Sequence, residues 1–444
     1  MSNIETKENT LLTARHMLLH DGCPLDPASS YQGEVDYIKK NFCGNVFSGA
    51  EGFNSFNAFE HSQSSIGYLC GDISAILRLI DLSKLKMIKI IKELSHNYQD
   101  LDLGRNRGQL ITLGEVPINM YNVGVYFRKF FHSSKDYYTS IVDEHQFQSL
   151  TESNKSGQAF RKGIYLTKVE AETEDQEIKF KLLRCSTNLD GPTDNLRDTD
   201  NEIIDKVNDV TQLFFNEKAE LNHVLAQTYH NKVESNGSKL VERKAKIKTH
   251  SDKTKDMPGN ALMAFCSFYK DYSNGGFTDE RLKDVKKSGD SDSGDSDSGD
   301  SYDYRYKGNI SVLTKLRFKL KSQVTDESLE KQFDVVLYPN SVFLISLSTN
   351  RLYTHEIKPS GLPVDKIPTR MGYVIRCSNT NAIFKNNQTY IIKDGKYIKL
   401  EEATQEGISE LKKLYYKENS TIEKVKYDKF YFSLNNGDYT KPMV

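Results

Sequence analysis

Three residues of this chain have the types and the order of a metal-binding set. His250 and Asp252 form a His-x-Asp pair, and His355 follows much later in the chain. Because side chains alternate along a strand, we expect His250 and Asp252 to lie on one face as adjacent ligands. Two imidazoles and one carboxylate form the facial triad that binds non-heme Fe(II) and leaves coordination positions open. The sequence therefore predicts an iron site at His250, Asp252 and His355.

Two arginines follow this set on one segment with a strand pattern. Arg370 and Arg376 share a face of residues 369–378, whose other face is apolar. A buried guanidinium is costly unless it is paired, and its forked shape matches a carboxylate in bidentate geometry. The pair therefore indicates an anionic cosubstrate beside the metal. The alternative is two salt bridges to carboxylates of the protein itself.

Eight segments in the second half of the chain have the pattern of strands, with turn residues between them. This number is typical of a jelly roll or double-stranded β-helix. We therefore predict an α+β protein, a double-stranded β-helix with flanking helices and an N-terminal extension. The segments are 223–230, 244–252, 261–269, 312–321, 333–339, 341–348, 351–357 and 369–378.

The chain divides into three predicted regions. Residues 1–160 form an extension of unknown role, 161–400 the β-helix domain, and 401–444 a tail that contains a helix. Residues 285–303 are acidic and of low complexity, so they are expected to be a disordered insertion. Within the extension, apolar residues at helical spacing over 72–96 predict one amphipathic helix or a pair of helices.

The bulk composition favours no particular class of partner. The 444 residues carry 60 basic and 61 acidic side chains, which gives neither nucleic acid nor membrane an electrostatic advantage. The six cysteines are scattered without a C-x-x-C pair, which is typical of free thiols in a reducing compartment. No apolar run is long enough to span a membrane, and the first residues do not form a secretory signal. We expect an intracellular protein of the cytoplasm or nucleus without a membrane partner; its oligomeric state is not indicated.

Taken together, these motifs resemble the Fe(II)/2-oxoglutarate-dependent dioxygenase superfamily, and within it the AlkB-like branch, over roughly residues 220–380. That branch carries His-x-Asp, a distal His and an Arg-x-Asn-x-Thr-x-Arg strand. The matching strand here, residues 370–376, keeps both arginines and has Gly372 and Val374 at the Asn and Thr positions. An Asn-x-Tyr pair of the branch corresponds to Gln227 and Tyr229, of which the tyrosine matches.

The resemblance implies an enzyme, its cosubstrate and the role of each matched residue. Arg370 would bind the distal carboxylate of 2-oxoglutarate, and Arg376 would approach the end near the metal, with Tyr229 and Gln227 in the same site. The reaction would consume dioxygen and 2-oxoglutarate and hydroxylate or oxidatively demethylate a nucleic acid base or a protein side chain. The basic run 243–248, directly before His250, fits either phosphate attraction or a solvated strand face.

Three other interpretations compete with this one. A protein hydroxylase of the prolyl hydroxylase type usually uses a lysine nearer the second histidine, and Arg370 argues against it. A zinc hydrolase would require a motif such as H-E-x-x-H, which the sequence lacks. A non-catalytic jelly-roll binding or scaffold protein would leave His250, Asp252 and His355 without a metal. The sequence identifies no substrate residues.

Overall fold

The computed structural model describes most of the chain. The described residues are 15–20, 32–59, 65–99, 108–151, 158–172, 177–185, 189–237, 239–287, 304–306, 310–427 and 429–444. Within these ranges the protein is α+β, with many strands and seven α-helices. No helix in them has the length and apolar character needed to cross a membrane.

The N-terminal part contains a parallel sheet flanked by helices. Its elements are β1 (Arg15–Leu19), α1 (Gln32–Asn41), β2 (Asn45–Ser48), α2 (Gly49–Ala58), β3 (Ile66–Asp72), α3 (Ile73–Leu79), β4 (Met87–His96) and β5 (Gly108–Ile111). All neighbours are parallel, in the order β2-β1-β3-β4-β5.

The predicted helix or helical pair over 72–96 is wrong in its second half. α3 is an α-helix and Leu82–Lys84 form a short 3-10 helix, but β4 is a strand between β3 and β5. Ile88, Ile90 and Ile91 are all buried there. A central strand of a parallel sheet is covered on both faces and rich in β-branched residues, so its apolar residues need not alternate. The run therefore matched a helical spacing by coincidence.

The rest of the chain is mainly antiparallel. It contains β6 (Ile118–Met120), β7 (Gly124–Phe127), α4 (Tyr137–Glu144), β8 (Gln148–Thr151), β9 (Gln158–Thr167), β10 (Glu170–Glu172), β11 (Glu177–Leu182), β12 (Asp194–Asn195), α5 (Asp198–Thr211), β13 (His223–Tyr229), β14 (Lys232–Asn236), β15 (Lys239–Arg243), β16 (Ile247–His250), β17 (Leu262–Tyr269), β18 (Tyr272–Ser273), β19 (Gly276–Phe277), β20 (Lys286–Lys287), β21 (Tyr304–Tyr306), β22 (Ile310–Ser311), β23 (Lys315–Leu320), β24 (Gln332–Val336), β25 (Ser341–Ser346), α6 (Leu347–Leu352), β26 (Tyr353–Lys358), β27 (Arg370–Arg376), β28 (Thr380–Lys385), β29 (Gln388–Lys393), β30 (Lys396–Lys399) and α7 (Gln405–Ser420).

Two of the antiparallel sheets face each other and define the site. The major sheet has nine strands, in the order β12-β9-β13-β27-β17-β25-β7-β6 with β8 beside β9, and the minor sheet has the order β16-β26-β23-β24. Each of the eight segments predicted as strands overlaps one of these strands: β13, β16, β17, β23, β24, β25, β26 or β27. The arrangement is compatible with a jelly-roll-like fold.

Aromatic side chains fill the space between the two sheets. Phe318 of the minor sheet contacts Phe343 of the major sheet edge to face, with ring centroids 5.6 Å apart. Phe265 of the major sheet contacts His355 of the minor sheet at 5.5 Å. Both sheets therefore turn one face toward a shared core, and His355 lies in it.

The predicted boundary between the N-terminal extension and the β-helix domain falls within a strand. Residue 160 lies inside β9, which pairs with β13 in the major sheet. The predicted disordered insertion falls largely on residues 288–303, outside the described residues, while Lys286–Lys287 form β20. The tail contains a helix, α7, as expected for 401–444. The five described cysteines are free thiols.

Candidate metal centre

The two histidines of the predicted triad lie opposite each other on adjacent strands. His250 is the last residue of β16, and it pairs directly with His355 of β26. Directly opposite residues of an antiparallel pair point to the same face. The two imidazole rings consequently lie with their centroids 4.5 Å apart. Sequence reasoning had no means of finding this register, because the two residues are far apart in the chain.

Asp252 reaches the histidines from a loop and not from the strand. We expected it beside His250 on one strand face, but β16 ends at His250 and Asp252 belongs to the segment that follows. Asn350 of α6 fixes it: its amide oxygen accepts from the Asp252 backbone N–H at 2.9 Å, and its amide nitrogen donates to the Asp252 carbonyl at 3.0 Å. Asp252 Oδ1 then lies 3.6 Å from His250 Nε2 and 4.0 Å from His355 Nε2.

The three donor groups fit a metal ion in spacing and in protonation. One donor atom from each residue lies within 4.8 Å of the others, whereas adjacent ligands of an octahedral ion are about 3 Å apart, so modest side-chain rotation would close the set. His250 Nδ1 lies 2.9 Å from the Lys248 carbonyl. Since a carbonyl only accepts, Nδ1 carries a proton, and Nε2 is the ring nitrogen that faces Asp252 and is placed to bind a metal ion.

Burial differs across the three residues. Burial, followed by the neighbouring His250, lowers the pKa of His355 to about 3, so this imidazole is neutral at physiological pH. The His250 side chain is 33 % exposed, whereas those of Asp252 and His355 are 8 % and 5 % exposed. The cluster is therefore closed on the side of β26 and reaches solvent at His250.

Arg376 contacts Asp252, the carboxylate of the candidate metal centre. It donates from Nε at 3.0 Å and from Nη2 at 2.8 Å to Oδ2 of Asp252. Burial by itself raises the pKa of Asp252, but the positive charge of Arg376 outweighs that effect and holds this pKa well below its ordinary value. Asp252 is therefore ionised, with Oδ2 paired to the arginine and Oδ1 directed at the histidines.

Arg370 lies at the other end of β27 with Tyr229 and Gln227. Tyr229 pairs with Arg370, and Gln227 pairs with Gly372, across β13 and β27. The Arg370 guanidinium carbon lies 4.2 Å from the centroid of the Tyr229 ring. Arg370 is 3 % exposed, and its Nε and Nη2 have no hydrogen-bond partner among the described residues. A buried cation without a counter-charge is costly, and a carboxylate ligand would supply that charge.

A second cluster was not found from the sequence. His145, which directly follows α4, hydrogen-bonds through Nδ1 to Asp194 at 2.8 Å and through Nε2 to Asp200 at 2.7 Å. Burial lowers the pKa of His145, but the two carboxylates outweigh it and raise this pKa to about 9. Asp200 also accepts from the Tyr373 hydroxyl of β27 at 2.7 Å. The imidazolium thus helps to anchor the strand that carries both arginines.

Glu144, together with His145 and Asp200, has donor atoms close enough to hold a metal ion. Both ring nitrogens of His145 are already hydrogen-bonded to carboxylates, so we interpret this cluster as an ion-pair network. Its only signal in the sequence is the adjacent Glu144–His145 pair, and the two aspartates lie far from it in the chain.

Comparison with known proteins adds little to this geometry. No protein-family model matches the chain, and no curated protein matches it. A solved structure described as "The structure of OsALKBH1" is similar to it at 10% sequence identity, over 57% of this chain and 96% of that chain, with a TM-score of 0.32. This score is too low for the likeness to indicate a shared fold.

Proposed function

We propose that this protein is an Fe(II)- and 2-oxoglutarate-dependent dioxygenase that hydroxylates or oxidatively demethylates a nucleic acid base or a protein side chain. One observation carries the proposal. His250, Asp252 and His355 converge at the minor sheet, and the buried guanidinium of Arg370, on the major sheet, presents two nitrogens without a partner among the described residues. Metal ligands and a dicarboxylate-binding arginine are the two parts that this chemistry needs.

The distribution of strands supports a double-stranded β-helix as the scaffold. In chain order, the eight strands from β13 to β27 named above fall in the major, minor, major, minor, minor, major, minor and major sheet. Such alternation winds the chain between two sheets and encloses a core open at one end. Ligands from β16, the loop after it and β26 then meet at one place, although they are distant in sequence.

Each proposed residue has a role that its surroundings support. His250, Asp252 and His355 would hold the ion, and the Lys248 carbonyl keeps the His250 tautomer in the state that binds metal. When bound, Fe(II) with 2-oxoglutarate supplies the activation of dioxygen that oxidises a substrate C–H bond. Arg376 keeps Asp252 ionised and oriented.

The cosubstrate end and the substrate end lie in different surroundings. Arg370, stacked on Tyr229, would bind the distal carboxylate of 2-oxoglutarate in a buried, low-dielectric setting where the ion pair is strong. The substrate would approach from the solvent side at His250. Lysines of the run 243–248 lie next to that opening in the chain, and they would favour a phosphate-bearing substrate over a neutral one.

Metal binding and cosubstrate turnover test the proposal. Protein loaded anaerobically with Fe(II) should convert 2-oxoglutarate to succinate in air, slowly without substrate and faster with an N-methylated oligonucleotide or peptide. His250→Ala and His355→Ala should abolish this conversion. His132→Ala is the matched control, because His132 is exposed and its imidazole bonds only Ser134 among the described residues.

The competing non-catalytic jelly-roll protein predicts a different result. It would show no stoichiometric Fe(II) or Mn(II), no succinate, and the same behaviour for His250→Ala and His132→Ala. That pattern, in protein that is folded by circular dichroism, would reject the dioxygenase proposal.

A further inference from the structure

A row of four residues crosses the major sheet beside Arg370. Gln227 of β13 pairs with Gly372 of β27, Gly372 pairs with Ser267 of β17, and Ser267 pairs with Ser341 of β25. Residues directly opposite one another share a face, so all four belong to one face of the sheet. We call Gln227, Gly372, Ser267 and Ser341 the polar row.

The polar row faces the space between the two sheets. Phe265 precedes Ser267 by two positions on β17, so the two side chains point the same way. Phe265 contacts the ring of His355, at a centroid distance of 5.5 Å. The row is therefore on the face of the major sheet that looks toward the metal centre.

The Arg370 guanidinium lies over the glycine of this row. A Cβ at Gly372 would be 3.1 Å from Arg370 Nη1 and 3.2 Å from Tyr229 Cε2. The guanidinium thus occupies the volume that a side chain at 372 would fill, next to the Tyr229 ring. Ser267, as the direct neighbour of Gly372 on the other strand, flanks the same volume. The Asn that the AlkB-like strand carries at this position has no counterpart here.

The two serines of the row are buried, and their hydroxyls make no hydrogen bond to any residue that the structure describes. Ser267 is 1 % exposed and Ser341 is 0 % exposed. Neither Oγ has a partner in the described part of the chain, and the same holds for Nε and Nη2 of Arg370. Ser267 is on the strand next to Gly372, whereas Ser341 lies one strand farther from Arg370. Unpaired buried donors cost free energy, and the Ser267 hydroxyl beside a guanidinium matches a ligand that offers several acceptor oxygens and a negative charge.

From this arrangement we infer that Ser267 is a specificity-determining residue, which donates a hydrogen bond to the distal carboxylate of the cosubstrate held by Arg370. The inference rests on the proposed function. The polar contact of this subsite then comes from β17, because Gly372 and Val374 of β27 offer none. The site then selects 2-oxo acids that carry a second carboxylate over those that end in a methyl group.

Equilibrium binding tests Ser267 without relying on turnover. Titration calorimetry on the Mn(II)-loaded full chain would compare 2-oxoglutarate with 2-oxovalerate, which has a methyl group in place of the distal carboxylate. Ser267→Ala should weaken 2-oxoglutarate binding by about tenfold, since a hydrogen bond to a charged group is lost. Binding of 2-oxovalerate should be unchanged.

A stability measurement gives a second sign to check. Removing an unpaired buried hydroxyl should leave the ligand-free protein as stable as the wild type or more stable. Ser433→Ala is the matched control: Ser433 is 4 % exposed and its hydroxyl bonds Asp438 in the C-terminal segment. This control should lower stability and leave both ligand affinities unchanged.

The outcomes separate this inference from the proposed function. If wild-type protein binds 2-oxoglutarate and Ser267→Ala binds it equally well, the Ser267 hydroxyl makes no bond to the cosubstrate, and the inference is overturned while the proposed function stands. If wild-type protein loaded with Mn(II) binds neither ligand, both are overturned. A parallel loss for 2-oxovalerate would also reject the inference, because it would indicate a general packing defect.

Discussion

Replacing Arg376 by methionine should destabilise the ligand-free protein severely. Arg376 and Asp252 are 5 % and 7 % exposed, and the guanidinium makes two hydrogen bonds to one carboxylate oxygen. Methionine leaves that carboxylate buried without its cation. Breaking a buried ion pair from one side costs about 3–5 kcal/mol, a large part of the 5–15 kcal/mol total stability that is typical of a folded domain.

A divalent metal ion should recover part of that loss. In Arg376→Met, the ion at His250, Asp252 and His355 becomes the main positive charge facing the carboxylate. Mn(II) should therefore raise the free energy of unfolding of the variant by more than it raises that of the wild type. Urea unfolding followed by circular dichroism, with Mn(II) and with a chelator, measures both quantities.

Arg317→Met is the matched control for this comparison. Arg317 forms an equally direct pair with Asp334, at 2.6 Å, but its side chain is 24 % exposed. Its loss should cost about 1 kcal/mol or less and should not respond to Mn(II). The reasoning fails if Arg376→Met is no less stable than Arg317→Met, or if Mn(II) shifts both variants and the wild type by the same amount.

Three further changes test the surroundings of the site. The pKa of His145 is raised from 6.5 to about 9, so the charged imidazole stabilises the fold fully below pH 6.5, and this stabilisation is lost as the pH rises to 9. The free energy of unfolding should therefore fall by up to about 3 kcal/mol over that range. His145→Gln should remove this pH dependence. Gly372→Ala would place a Cβ 3.1 Å from Arg370 Nη1 and should weaken 2-oxoglutarate binding about tenfold in calorimetry, because the guanidinium must move; unchanged affinity would contradict the geometry. Asn350→Leu removes both hydrogen bonds to the Asp252 backbone and should weaken Mn(II) binding at least tenfold in a fluorescence or calorimetric titration. An unchanged affinity would mean that the loop holds Asp252 in place without Asn350.

The sequence was most informative in the second half of the chain, where the strands alternate or are continuously apolar. The eight segments between residues 223 and 378 were recognised because apolar periodicity and intervening turn residues act locally, within a few residues of one another. The same reasoning failed at β4. Ile88, Ile90 and Ile91 are buried from both sides of a parallel sheet, so their spacing follows total burial instead of one-sided exposure.

In the candidate site, too, the residue types could be recognised from the sequence but their arrangement could not. The residue types and order of His250, Asp252, His355 and Arg370 indicated an iron site and a dicarboxylate site from the sequence alone, since few combinations of side chains bind a ferrous ion and a dicarboxylate. The means by which Asp252 reaches the histidines did not follow from its spacing. It depends on the hydrogen bonds between the Asn350 side chain and the Asp252 backbone and on the guanidinium of Arg376, and both residues come from distant parts of the chain.

The sequence by itself indicated the eight strands between residues 223 and 378, the candidate ligands and the two arginines, because each of these depends on residue type and local periodicity. Only the tertiary structure decided that His250 pairs with His355, that Ser267 and Ser341 fall in line with Gly372, and that Asp200 holds Tyr373. These relations depend on strand order and register. Order and register are set by how two whole sheets pack against each other, and no short stretch of sequence specifies that packing.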